Sequence, residues 1–183
     1  MSESQLTARQ HTTLRATSLV AALALSLLIP NLGMPQWITG PLVNALLLIV
    51  ALQLGATQAI VVGMVTPMAA LLRGVLPLPL AIMIPFIALG NALYVAAFRR
   101  IEDRNRWIAL GVAALSKYAL LQSAILILTW RPLALAAGAG QTALAIPNTI
   151  ATMMSWPQLL TALAGGLIAL GITVALTRAR DQH

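Results

Sequence analysis

From Ala16 to Leu72 the chain runs for 57 residues without a charged side chain. One helix of that length would extend about 85 Å at about 1.5 Å per residue, against a bilayer core about 30 Å thick. The run must fold back on itself, and its turn formers show where: PNLGMPQW at 30–37 and GATQ at 55–58. Three short spans result, near 16–29, 39–54 and 58–73. Arg73 closes the third, LPLP at 76–79 makes a tight turn, and a fourth span covers 80–98. The charged loop RRIEDRNR at 99–106 leads into a fifth span, 107–130, and a sixth covers 157–177. A hydrophobic share of 60%, a charged share of 8% and a mean hydropathy of +0.90 place the chain in lipid. The expected architecture is an all-α membrane protein. It is a six-transmembrane-helix bundle forming one domain over 16–178, with polar tails at 1–15 and 179–183.

The arginines orient it. Six spans put both ends on one side, together with Arg9, Arg15, Arg99, Arg100, Arg104, Arg106, Arg178 and Arg180, leaving only Arg73 and Arg131 opposite. Positive residues stay inside, so both termini are expected to be cytoplasmic. The same distribution explains the net charge of +7 without nucleic acid. A seventh span within 132–156 would carry the arginine-rich C-terminus outside, and Gly138, Gly140 and Pro147 interrupt that stretch. We read 131–156 as an outer loop with a short or re-entrant helix.

Few strongly polar side chains lie inside the spans: Asn44, Asn91, Tyr94, Lys117, Tyr118 and Gln122. Lys117 is the only lysine, and no acid lies in any span to pair it. A lysine at a helix centre costs about 2.5–3.5 kcal/mol to insert, so intramembrane ionisable residues point to function. Counting from the span ends, Lys117 and Asn91 each lie about 15 Å deep, near the midplane, and Asn44 about 7 Å below the outer boundary. Asn44 and Asn91 fit either ligand contact or the amide hydrogen bonding that joins spans. Tyr118 and Gln122 share one face, about 100° from Lys117. Trp130, Asn148, Trp156 and Gln158 gather at the outer boundary, where indoles can stack on a solute and amides can orient it. Trp37 and Trp107 read as interfacial belt residues. A substrate with a carboxylate would answer the lone ammonium.

Enzyme chemistry finds no support. The two histidines, His11 and His183, lie in the tails, cysteine is absent, and no phosphate-binding glycine loop occurs. No catalytic residue, cofactor or metal is expected. Without an intramembrane carboxylate, proton or sodium coupling also lacks its usual group.

Particular stretches, GPLVNALLLIVALQLG at 40–55, TPMAALLRGVLP at 66–77, IPFIALGNALYV at 84–95 and MMSWPQLLTALAGG at 153–166, resemble the substrate-binding S components of energy-coupling factor (ECF) vitamin transporters. The resemblance covers about 16–178. It implies a multi-pass subunit of a prokaryotic cytoplasmic (inner) membrane that binds a vitamin-like micronutrient from outside and topples on a coupling subunit served by two ATPase subunits. It also implies a small-residue docking face on the first helix, where Ser18, Ala22 and Ser26 recur every four residues. The alternative is a stand-alone secondary transporter or channel with Lys117 as its coupling charge.

Overall fold

The computed structural model describes residues 3–72, 78–130, 133–137, 140–144 and 147–181. Arg73, Arg131, Gly138, His183 and the first half of the LPLP turn lie outside the described residues. Among the described residues seven helices and one hairpin follow in order: α1 (Glu3–Asn31), α2 (Gln36–Gln53), α3 (Ala56–Leu72), α4 (Leu78–Ile101), α5 (Arg106–Trp130), β1 (Leu133–Ala137), β2 (Gly140–Leu144), α6 (Asn148–Met153) and α7 (Trp156–Asp181). Five segments of these helices are long and apolar enough to cross a membrane. The shorter α3 is a sixth apolar helix.

The turn signals act where the sequence places them. Gly55 takes φ +115, a left-handed value open to glycine, and with Leu54 joins α2 to α3 in two residues. The N–H groups of Leu54 and Gly55 both return to the Val50 carbonyl, which closes the helix end. Arg15 of α1 donates to the Leu54 carbonyl at 3.1 Å, bringing a cation to the negative end of α2. Asn105 caps α5, its Oδ1 accepting from the N–H groups of Trp107 and Ile108.

The structure adds detail at two places. Most of the polar segment before residue 16 is helical: α1 begins at Glu3, and its polar first turns continue the same helix as the apolar part. Within 131–156 a short helix is present, α6, but an antiparallel hairpin precedes it, pairing Leu133 with Leu144 and Ala137 with Gly140. Gly140, which opens β2, disfavours helix by about 1 kcal/mol relative to alanine.

The main core joins α1, α2, α3, α4, α5 and α7 around Leu47, Leu48, Val62, Val95, Phe98 and Ala162. A second, smaller core lies where α6 meets α4 and α5, with Met83, Leu121, Ile125, Ile150 and Met154. Along α5 the first core ends at Ala114 and the second begins at Leu121. Lys117 falls between them. Along α4, Asn91 likewise separates Met83 from Tyr94.

Candidate functional site

The polar layer between the cores is closed on Lys117. Its Nζ donates to Asn44 Oδ1 of α2 at 2.7 Å and to Asn91 Oδ1 of α4 at 2.8 Å. The three side chains are 3%, 1% and 1% exposed. The Tyr94 ring lies under the ammonium, its centroid 5.6 Å from Nζ, within cation–π range. Tyr94 is fixed in turn by its hydroxyl, which donates to the Ala162 carbonyl of α7 at 2.8 Å.

The amides cannot turn over. Asn91 Nδ2 donates to the Gly63 carbonyl at 2.8 Å and Asn44 Nδ2 to the Gly40 carbonyl at 2.9 Å. A carbonyl only accepts and an ammonium only donates, so each Oδ1 must face Lys117.

The Gly63 carbonyl is open to Asn91 for a reason in the sequence. In a helix it would accept from the N–H of residue 67, and residue 67 is proline, which has none. Asn91 fills that vacancy from the neighbouring helix. Gly63 also permits the approach, since a Cβ there would stand 3.0 Å from Asn91 Cβ. On the other side, a Cβ at Gly165 of α7 would stand 2.5 Å from the Pro41 carbonyl and 2.6 Å from Asn44 Cβ. Small residues thus let α3 and α7 close on the two helices that carry the amides, the packing mode of helices in lipid.

This layer floors a cavity of about 440 Å³. Val43, Ile84 and Ile87 form its apolar walls, with Thr66 and Pro67 of α3. Above them come Thr39, Gln36 and Gln158, then Met153 of α6 with Met154 just after it, and the α1–α2 connector at Gly33 and Met34. Gly33 and Met153 are exposed, so the upper end reaches the surface. The Met153 carbonyl accepts from Gln36 Nε2 at 2.7 Å and from Gln158 Nε2 at 3.4 Å, which ties α6 to α2 and α7 over that end. No acid borders the floor: the chain's four acids are Glu3, Glu102, Asp103 and Asp181, all outside the spans.

Of the residues singled out in the sequence, Asn44, Asn91, Lys117 and Gln158 line the cavity. Tyr118, Gln122, Trp130, Asn148 and Trp156 do not. Tyr118 and Gln122 are turned away around α5, and Gln122 Oε1 is buried without a hydrogen-bond partner. Trp130 is 82% exposed, Asn148 is exposed at the start of α6, and Trp156 packs its ring against Trp37 at 5.5 Å between centroids. On α1, Ala22 and Ser26 are buried inside the chain, and Ser26 Oγ donates to the Leu23 carbonyl. Ser18 of that small-residue stripe is exposed, while Ala22 and Ser26 pack inward.

Sequence reasoning passed over Tyr94, Thr39, Thr66, Pro67, Met153 and Met154 as site residues. Pro67 carried a usable signal: a buried proline orphans the carbonyl four residues before it, and a buried amide elsewhere must satisfy that carbonyl.

Comparison with family models, curated proteins and solved structures finds no match to this chain.

Proposed function

We propose that the chain is the membrane-embedded solute-binding subunit of an ATP-driven micronutrient importer, in the manner of the ECF S components that it resembles. One observation carries this reading: a buried lysine Nζ held only by neutral groups, at the floor of a mostly apolar cavity of about 440 Å³. A cavity of this size with few polar groups suits a small organic solute. Burying a charge without a counter-charge has a cost that packing alone does not require, and a bound solute answers it.

In this reading six helices span the membrane, α3 included. The termini lie on the cytoplasmic side with the arginines, and the cavity opens outward beneath α6 and the hairpin. The spans contain no carboxylate for ion coupling. Energy therefore comes from partners, a coupling subunit and two ATPases, and the chain needs no cofactor of its own.

Reconstitution tests the reading. Purified chain in liposomes should retain a small solute but give no uptake alone, and should import it with ATP only when the coupling subunit and ATPases are added. Uptake by the chain alone, driven by an ion gradient, would replace this reading with that of a secondary transporter using Lys117 as its coupling charge.

A further inference from the structure

We infer that the solute is a small amphiphile bearing a single anionic group, a monocarboxylate, which seats its anion on Lys117 and lays its apolar body along the cavity wall; this rests on the binding-subunit reading above. Two of the three ammonium hydrogens are used on Asn44 and Asn91, which leaves one for a ligand. Each Asn Nδ2 spends one hydrogen on a backbone carbonyl and keeps its second. The floor therefore offers N–H donors and, with Lys117 protonated by its acid partner, one positive charge. The two Oδ1 atoms beside it are already occupied by the lysine.

That inventory discriminates among ligand classes. A cation meets like charge. A neutral solute leaves the ammonium uncompensated. A phosphate monoester brings close to two negative charges and three acceptor oxygens, for which sites gather arginines or a helix N-terminus. Here α2, α4 and α5 pass the floor at mid-helix, and Lys117 is the one cation among the described lining residues. A carboxylate matches in charge and in its two oxygens. Above it Val43, Ile84, Ile87 and Met154 supply apolar contact. Thr39 and Thr66 commit their hydroxyl hydrogens to the Met34 and Val62 carbonyls, so they can only accept from the solute.

The test uses the full chain in detergent and four probes on one skeleton: 4-phenylbutanoate, 4-phenylbutanamide, 4-phenylbutylamine and 4-phenylbutyl phosphate. Thermal unfolding is followed with each, for wild type and Lys117→Met. In parallel, native mass spectrometry identifies the solute retained by protein purified from its own membrane. The expected result is stabilisation by the carboxylate alone, or retention of a solute with one acid group. In Lys117→Met the affinity should fall by about 10- to 100-fold, the loss of one hydrogen bond to a charged group. The acid-against-amide comparison stands on wild type, so it decides even if the variant fails to fold. An amide or phosphate that stabilises as well as the acid, or a retained solute without an acid group, overturns this inference and leaves the binding-subunit reading intact. If no solute is retained and no probe stabilises, both fail.

Discussion

The site depends on a proline at least as much as on its lysine. Pro67 removes one backbone donor from α3, and the freed Gly63 carbonyl fixes Asn91 with its oxygen toward Lys117. Pro67→Ala restores an N–H that competes for the same carbonyl. The variant should keep or gain thermal stability, because α3 regains a helical hydrogen bond, while solute affinity falls by about 1 kcal/mol as Asn91 loses its anchor. Melting temperature and a binding isotherm on the same preparation check both halves, and unchanged affinity would sink the argument. Depth along a helix was legible in the sequence, because residues rise at a fixed step from a boundary marked by arginine or tryptophan. That places Lys117 and Asn91 at one depth; Asn44 reads as about 7 Å below the outer boundary, and the structure brings it onto the same Nζ. Azimuth was not legible: it is set by which neighbour each face meets. Tyr118 shares Lys117's depth but faces elsewhere, and Trp130 and Trp156 lie near the cavity's end of the molecule without entering it.

Between elements, close helix approach holds the layer in register, and glycine positions test that directly. Gly165→Ala puts a Cβ against the Pro41 carbonyl and Asn44, so α2 and α7 must part. It should cost about 1–3 kcal/mol of stability, the usual range for overpacking. Gly171→Ala on the same helix meets nothing within 4 Å and should be neutral or slightly stabilising. Equal losses in thermal melts of the two variants would mean that helix propensity, not contact, governs. Nothing in TALAGG at 161–166 marks which glycine is needed, and the partner helix does.

At the α4–α5 turn, Glu102 is buried beside Arg99, with which it forms an ion pair. Burial pushes its pKa above the usual glutamate range, opposed by Arg99 and reinforced by Asp103, with Arg106 again opposing. The folded state therefore holds this proton more tightly than the unfolded state does. Glu102's contribution to stability should be highest below the ordinary glutamate pKa and fall as pH rises through the raised value. Glu102→Gln should flatten that slope in melts taken across the acidic range. A slope identical to wild type would assign it to other groups.

For the molecule as a whole, the decisive question is which end of the bundle faces out. Trp107 and Trp130 bracket α5, both strongly exposed, and the 23 steps between them span about 35 Å, close to a bilayer core plus its interfaces. Lys117, ten residues from the first and thirteen from the second, then sits near the midplane. Arg99, Arg100, Arg104, Arg106 and Arg178 lie at the ends of α4, α5 and α7 away from the cavity's upper opening, whose walls come from Gln36, Met153 and Gln158. In the reading proposed above, the positive-inside bias directs the opening outward, where an importer must meet its solute. The chain contains no cysteine, so single cysteines report cleanly. Asn148→Cys, exposed on α6, should react with a membrane-impermeant maleimide in intact cells, whereas Asp103→Cys, exposed in the α4–α5 turn, should react only after permeabilisation. The reverse pattern would place the cavity opening in the cytoplasm, and a subunit that captures solute from outside could not be built on it.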